Sequence, residues 1–236
     1  MVSGTGIKVA KHGSRSLSSK SGAADVLSEL GINLDCSFSI VQKALDNIGI
    51  CFLMAPRHHV AMKHVGPARV ELGIRTIFNL LGPLSNPAFV KRQMVGVFDK
   101  RWLHPFAEAL NKMGSTNAWI IHGRDGLDEV SVSDITDVVQ LKNGKIIELS
   151  INPEEYGFKR NTVASIKGGD PKYNAECFMK MINGDYNQFQ KIVEINAGAA
   201  IYLSGKAINI KEGALIAEKS IAEGRTKEFI SRITDE

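Results

Sequence analysis

The sequence lacks the features that mark several common classes of protein. Only three cysteines occur in 236 residues and none forms a C-x-x-C pair, which argues against a disulfide framework and a paired-cysteine zinc site. No apolar run approaches the ~18–20 residues of a membrane helix, and the first residues have no apolar signal-peptide core. The motifs of serine hydrolases, zinc proteases and P-loop proteins are missing too. We therefore expect reduced thiols, a cytoplasmic location and no membrane partner.

A strong excess of charge of one sign is also missing. Lys and Arg total 29 and Asp and Glu total 25, so the net charge is +4 at pH 7. A mildly basic chain suits a phosphorylated substrate, but this excess is too small to predict nucleic-acid binding. We do not expect a nucleic-acid partner.

Strand and helix patterns alternate through the first half of the chain. Short apolar runs predict strands at residues 7–10, 50–54, 93–98 and 118–123. Apolar residues at helical spacing predict helices at residues 23–30, 37–48, 60–72, 77–81 and 102–113. Loops are expected at residues 12–21, 55–59 and 82–87. This alternation predicts an α/β fold with a largely parallel central sheet flanked by helices.

The second half of the chain has a different pattern. Residues 128–133 and 137–141 alternate like strands, and Asn143 and Gly144 predict a hairpin turn, so we expect an antiparallel extension of the sheet. Helical patterns follow at residues 174–182, 186–203 and 210–233. Neither an internal repeat nor a linker is visible, which predicts a single domain over residues 1–236.

A segment rich in small polar residues follows the first predicted strand. Residues 11–31 combine cations, serines and glycines, and they lead into a helix for which Gly31 is the expected C-terminal cap. Lys11 and Arg15 can supply positive charge, and the serines can supply hydrogen-bond donors, to a phosphate or pyrophosphate. A solvated polar loop with a helix cap is the alternative that composition leaves open.

Two further groups of residues have chemistry that suits a ligand. Asp128 and Glu129 can hold Mg²⁺ through carboxylate oxygens, with waters and substrate phosphates completing its coordination. Arg69 can pair with a substrate carboxylate through its planar guanidinium. The alternatives are surface charge for the acidic pair and an ordinary ion pair with Glu71 for the arginine.

From Ile7 onward the chain resembles the anthranilate phosphoribosyltransferases. The resemblance rests on the segments VAKHGSRSLSSKSGAADVLSELGINLD, FLMAPRHHVAMKHVGPARVELGIRTIFNLLGPLSNPA, GLDEVS, KGGDPKYNA, NAGAAIYLSGKA and EGALIAEKSI. The string RTIFNLLGPLSNP is the most specific, because the related pyrimidine nucleoside phosphorylases share the fold but are not expected to carry it. The resemblance implies a pentosyltransferase of tryptophan biosynthesis that moves the phosphoribosyl group of 5-phosphoribosyl 1-pyrophosphate to anthranilate.

The resemblance also implies roles for individual residues, but no catalytic nucleophile. The residues implied at the phosphoribosyl pyrophosphate are Lys11, His12, Gly13, Ser14, Arg15, Ser16, Leu17, Ser18 and Ser19. Those implied at the anthranilate are Ser14, His59, Arg69 and Pro83, and those implied at Mg²⁺ are Asp128 and Glu129. A homodimer is implied as well, with residues 59–82 as the remnant of the family's small helical domain.

The chain departs from the family pattern in three ways. The N-terminal helices, which help to form the dimer interface, and the glycine-rich GTGGD loop would precede the first residue of this sequence. Ser14 stands where the family has an asparagine, and Ala23 stands where it has a serine. We therefore expect little turnover from these 236 residues alone, as a truncated enzyme or a degenerate paralogue. A pentosyltransferase with another acceptor and a non-catalytic nucleic-acid-binding paralogue are the alternative functions.

Overall fold

The computed structural model describes residues 1–15, 20–59, 62–73, 76–185 and 188–235. The chain divides into two compact units. Unit 1 consists of Met1–Ile7, Lys91–Lys167 and Cys177–Phe229. Unit 2 consists of Lys8–Val90, Gly168–Glu176 and Ile230–Glu236. The predicted single domain, with residues 59–82 as a helical remnant, stays a prediction.

The described strands form one sheet in each unit. In unit 2, β1 (Val9–Gly13) and β2 (Ile50–Met54) are parallel. The strands of unit 1 are β3 (Arg92–Gly96), β4 (Asn117–Gly123), β5 (Thr136–Lys142) and β6 (Lys145–Ile151). They lie in the order β3-β4-β5-β6, and β3 and β4 are parallel whereas β4, β5 and β6 are antiparallel. The predicted α/β class, its parallel pairing and its antiparallel extension are confirmed.

Helices follow β1, β2 and β3, as predicted. In chain order the helices are α1 (Ala23–Glu29), α2 (Phe38–Lys43), α3 (Ala55–His58), α4 (Met62–Leu72), α5 (Phe78–Leu84), α6 (Leu103–Lys112), α7 (Pro171–Ile182), α8 (Gln188–Ser204), α9 (Ile210–Ala222) and α10 (Arg225–Asp235). A π-helical stretch, Ala44–Ile48, continues α2 and completes the predicted helix over residues 37–48. In the part of the chain that the structure describes, no helix combines the length and apolarity needed to cross a membrane.

Strand β1 runs further into the polar segment than the sequence predicts. Lys11, His12 and Gly13 pair with the last residues of β2, so the loop expected from residue 12 begins only after Gly13. The apolar run of β2 supplies a complete backbone partner, and ladder hydrogen bonds form whatever the polarity of the side chains. The extension places Lys11 and His12 in regular structure, which holds their backbones fixed.

The predicted turn chemistry is confirmed at the hairpin and at the end of α1. Asn143 and Gly144 have φ values of 50° and 80°, the left-handed pair that a tight two-residue hairpin requires. Gly31 has a φ of 85° just after α1, where the Ile32 amide donates to the Leu27 carbonyl at 3.0 Å.

Four predictions of local structure are wrong. Residues 128–133 form bends rather than a strand, because their backbone bonds go to side chains of other segments. The loop predicted at residues 55–59 contains the single turn α3, whose first turn accommodates Pro56. Helix α5 continues through Pro83, which was expected in a loop. The helix predicted over residues 210–233 is two helices, separated where Gly224 takes a φ of 73°.

The core of unit 1 packs helix α8 and the start of α9 against the sheet. Trp119, Ile121 and Val138 of the strands form one buried cluster with Ile195 of α8. The loop between β4 and β5 joins this cluster through Val130, which is fully buried. The residues next to Val130 are therefore attached to the buried core of the unit.

Candidate functional site

The first candidate site lies in unit 2, where β1, α3 and α5 meet. His12 Nδ1 lies 3.1 Å from the Gly82 carbonyl oxygen, and His12 Nε2 lies 3.1 Å from His59 Nε2. The two imidazole rings meet edge to face, with their centroids 5.1 Å apart. The structure thus brings together His12, His59 and the residue that precedes Pro83.

The hydrogen bonds determine where the protons of this pair lie. A carbonyl can only accept, so His12 Nδ1 carries a proton and donates it to Gly82. When His12 is neutral its Nε2 accepts, and the His59 Nε2–H is then the donor between the rings. Burial, and next the charge of His59, hold the pKa of His12 below its usual 6.5, which favours this neutral form. The pKa of His58 is also lowered, first by burial.

A second contact ties the segment after α5 to β1. Asn86 Nδ2 donates to the Ala10 carbonyl at 3.2 Å. The segment that carries Pro83 is therefore attached to β1 both through His12 and through Asn86. Asn86 was not singled out from the sequence, although it lies within the specific string RTIFNLLGPLSNP.

The other residues predicted near phosphate lie around the end of β1. Lys11 and Ser14 are exposed. Arg15 Nη1 lies 3.6 Å from Asp25 Oδ1 and donates to Ser28 Oγ at 3.3 Å, so α1 holds its guanidinium. Asp25 also accepts from the Gly22 amide at 2.9 Å. The predicted Ser16, Leu17, Ser18 and Ser19 lie outside the described residues, and Arg69 is described only by its place in α4.

The second candidate site lies in unit 1, in the loop between β4 and β5. Asp128 and Glu129 are exposed there. On one side of them, the Gly123 amide donates to the Leu127 carbonyl at 2.8 Å. On the other side, Asn196 bonds both backbone groups of Val130 at 2.9 Å. The side chains of Asp128 and Glu129 are therefore exposed, whereas hydrogen bonds to the residues on either side hold their backbone in place.

Further contacts close the base of this loop. Ser131 Oγ donates to Asp125 Oδ2 and accepts the amides of Ser133 and Asp134. The Ser131 amide donates to Thr136 Oγ1 at 2.9 Å. These bonds replace a strand ladder with side-chain partners, which explains why the alternating sequence does not form a strand.

Glycine at position 96 is needed for the same loop. A Cβ atom at Gly96 would overlap the carbonyl oxygen of Asp128 and lie 2.6 Å from its carbonyl carbon. The end of β3 and the acidic pair are thus in backbone contact. Sequence reasoning missed both Gly96 and Asn196, and the only available signal was an asparagine among the apolar residues of α8.

The acidic pair has the chemistry that a magnesium ion requires. Among the residues that the structure describes, no group of three or more His, Cys, Asp or Glu side chains is arranged to hold a metal ion. Mg²⁺ prefers octahedral oxygen coordination and is commonly held by one or two carboxylates together with substrate phosphates and water. Asp128 and Glu129 are adjacent, exposed carboxylates on a loop held by hydrogen bonds, and they fit this way of binding Mg²⁺.

Comparison with known proteins shows the family to which the chain belongs. Residues 1–227 match the family described as "Glycosyl transferase family, a/b domain". The anthranilate phosphoribosyltransferase of Azorhizobium caulinodans is 48% identical over 233 residues, which cover 99% of this chain and 68% of that protein. The chain belongs to the anthranilate phosphoribosyltransferase family.

Solved structures of this family have the same fold. The anthranilate phosphoribosyltransferase of Thermus thermophilus is 38% identical with a TM-score of 0.92, and the match covers 99% of this chain and 70% of that one. The Saccharomyces cerevisiae enzyme in complex with PRPP and Mg is 30% identical with a TM-score of 0.89, covering 99% and 67% of the two chains. The resemblance inferred from the sequence motifs is confirmed.

Proposed function

We propose that this chain transfers the phosphoribosyl group of 5-phosphoribosyl 1-pyrophosphate to the amino group of anthranilate. The products are N-(5-phosphoribosyl)anthranilate and pyrophosphate, in tryptophan biosynthesis. The observation that carries the proposal is the 48% identity to a named anthranilate phosphoribosyltransferase through 99% of the chain, a span that includes both candidate sites. A Saccharomyces cerevisiae relative is described in complex with 4-fluoroanthranilate, which supports the same acceptor here.

The reaction needs no protein nucleophile. The bond between C1 of the ribose and the pyrophosphate oxygen breaks, and the leaving oxygen keeps the electron pair. The amine nitrogen of anthranilate forms the new bond to C1 from the opposite face and then loses a proton. Positive charge builds up on the ribose and negative charge on the leaving group, so the protein contributes by positioning and by neutralising charge.

We assign the charged groups to the donor substrate and its metal ion. Lys11 and Arg15, with Ser16, Ser18 and Ser19, bind the phosphate groups. Asp128 and Glu129 hold Mg²⁺, which would neutralise charge on the departing pyrophosphate. Among the described residues the Arg15 guanidinium pairs with Asp25 and Ser28, and its planar group of five N–H donors is suited to binding a phosphate as well.

We assign His12, His59 and helix α4 to the binding of the acceptor, anthranilate. The ring of anthranilate packs near His59 and Pro83, and Arg69 pairs with its carboxylate. His12 Nδ1 donates to the Gly82 carbonyl and His12 Nε2 lies 3.1 Å from His59 Nε2, so these contacts hold the two imidazole rings in place beside the acceptor.

Arg69→Ala tests the acceptor assignment. Loss of a charge-assisted pair, worth ~1.5–3 kcal/mol, should weaken anthranilate binding about 10- to 100-fold in isothermal titration while leaving phosphoribosyl pyrophosphate binding unchanged. Arg232→Ala is the control, since Arg232 lies in the same unit and its Nη2 donates to the Asn47 carbonyl at 2.9 Å. Equal losses for both substrates would contradict the assignment, and no anthranilate binding by the unsubstituted protein would refute the function.

Asp128→Ala and Glu129→Ala test the metal assignment. Each should weaken Mg²⁺ binding about 10-fold or more in the presence of pyrophosphate, because Mg²⁺ has few other protein ligands. Glu148→Ala removes an exposed carboxylate of β6 that pairs with His104 and should leave the titration unchanged. Unchanged titrations of both acidic variants would count against the assignment.

Ser14 favours a second candidate, a pentosyltransferase with another acceptor. Its side chain is shorter than the asparagine expected at this position, so a hydrogen bond to anthranilate would be lost. A panel of aromatic amines and bases, each offered with phosphoribosyl pyrophosphate, separates the two functions. Faster product formation from an acceptor other than anthranilate would establish the second candidate.

We also propose a homodimer and a cytoplasmic location. The family resemblance supports the first, and size-exclusion chromatography with light scattering would test it. The second is supported by the sequence, which has only three cysteines and no C-x-x-C pair, since disulfide frameworks are typical of secreted proteins.

A further inference from the structure

Asn196 makes an unusual set of contacts from the middle of α8. Its Oδ1 accepts the Val130 amide at 2.9 Å, and its Nδ2 donates to the Val130 carbonyl at 2.9 Å. The same Nδ2 donates to the Ile192 carbonyl, one turn earlier in α8, at 2.8 Å. Both amide protons are therefore in use, and the side chain holds both backbone groups of one residue in a distant loop.

Helix formation does not account for an asparagine at this position. Asparagine disfavours helix interiors because its amide competes for backbone hydrogen bonds. The neighbouring Ile195 and Ala199 are fully buried core residues, so apolar side chains suit this face of α8. What the asparagine adds is satisfaction of the Val130 backbone, which lies in the buried core without a strand partner.

The position of Val130 connects this contact to the proposed metal site. Val130 directly follows Glu129, and Leu127 directly precedes Asp128. The Leu127 carbonyl is held by the Gly123 amide at 2.8 Å, so the acidic pair lies between two fastened residues. The bonds from Asn196 of α8, together with those of Ser131 to Asp125 and Thr136, hold the C-terminal side of the pair.

We infer that Asn196 is a positioning residue for the two carboxylates that hold the metal. Asn196 does not bind the metal itself. It fixes the backbone next to Glu129 and thereby orients the carboxylates of Asp128 and Glu129. The inference rests on the proposed function, which places Mg²⁺ at these carboxylates. Removing a group that orients metal ligands through hydrogen bonds typically lowers metal affinity 10- to 100-fold.

The test measures Mn²⁺ binding by electron paramagnetic resonance in the presence of pyrophosphate. Asn196→Ala should raise the dissociation constant for Mn²⁺ about 10- to 100-fold. Asn196→Asp keeps the side-chain shape and an acceptor for the Val130 amide but loses both donors, so it should give a smaller increase. Asn117→Ala is the control, because Asn117 also bonds α8, through the Leu203 carbonyl at 3.0 Å, but lies away from the acidic loop on β4.

Amide hydrogen exchange gives a second readout that does not depend on metal. In both Asn196 variants the loop over residues 124–135 should exchange faster while the amides of β4 and β5 stay protected. Because Asn196→Asp conserves volume, it reports on the loop even if the alanine variant is too unstable to purify.

The outcomes separate this inference from the proposed function. Tight Mn²⁺ binding by the unsubstituted protein and weak binding by the Asn196 variants, with the Asn117 control unchanged, would support it. Equal binding by the unsubstituted protein and the Asn196 variants would overturn the inference and leave the proposed function standing. If the unsubstituted protein fails to bind Mn²⁺, or if Asp128→Ala and Glu129→Ala bind it normally, the metal assignment itself is refuted and the inference with it.

Discussion

Replacing Gly96 with alanine should displace the backbone of the proposed metal ligand Asp128. The added Cβ would overlap the Asp128 carbonyl oxygen and lie 2.6 Å from the carbonyl carbon. Ordinary van der Waals contact begins at 3.4 Å, so the carbonyl carbon must withdraw by about 0.8 Å and the overlapping oxygen must move further. The φ of Gly96 is not in the left-handed region, so alanine can adopt the backbone and the effect is steric.

The loop cannot make that movement freely. Leu127 is held by Gly123 and Val130 by Asn196, so moving Asp128 strains bonds on both sides of it. Overpacking of this kind costs ~1–3 kcal/mol. At ~2–4 °C per kcal/mol for a chain of this size, the melting temperature should fall by about 2–12 °C. Displacement of the Asp128 backbone should also lower metal affinity, by about 10- to 100-fold, as expected when the orientation of metal ligands is disturbed.

Differential scanning calorimetry and Mn²⁺ binding in the presence of pyrophosphate measure the two effects. The control is Gly66→Ala, because a Cβ at Gly66 meets nothing within 4 Å and the residue lies within α4, where alanine is favoured. This control should melt at the same or a slightly higher temperature. If Gly96→Ala retains both the melting temperature and the Mn²⁺ affinity of the unsubstituted protein, the reasoning about this contact is refuted.

Two further predictions concern stability. The pKa of His12 lies below 6.5 in the folded protein, so the unfolded chain binds more protons as the pH falls through 6.5 and stability should decrease from about pH 7.5 to pH 5.5. His12→Gln should flatten this dependence in urea denaturation, and an unchanged pH dependence would contradict the buried neutral imidazole. In unit 1, a Cβ at Gly198 would lie 2.7 Å from the Ala214 nitrogen and the Ile210 oxygen, so Gly198→Ala should lower the free energy of unfolding by ~1–3 kcal/mol. A urea midpoint equal to that of the unsubstituted protein would show that α8 and α9 can separate at no cost.

Local sequence was sufficient where neighbouring residues decide the backbone. The apolar run of β2 has the predicted bounds, because a continuous apolar segment between Gly49 and Pro56 suits a buried strand. Asn143 and Gly144 form the predicted hairpin because they tolerate the left-handed conformation that the turn requires. In these places the preference is intrinsic to the residues themselves.

Local sequence failed where distant partners decide the backbone. Residues 128–133 alternate like a strand, yet they bond to Asn196 and Thr136 and form no ladder. Lys11 and His12 look like loop residues, yet pairing with β2 extends the strand through them. The break at Gly224 was missed because an apolar pattern continues across it and the glycine's left-handed φ interrupts only the backbone.

The sequence by itself determined the family, the α/β class and the chemistry of the proposed ligands. These follow from residue types in specific strings, such as the cations and serines after β1 and the two carboxylates of GLDEVS. Only the tertiary structure decided how those residues are held. Three contacts join segments that are far apart in the chain. They are the one between His12 and His59, the one between Gly96 and Asp128, and the hydrogen bonds of Asn196 to Val130. Such contacts depend on packing, which local sequence patterns do not specify.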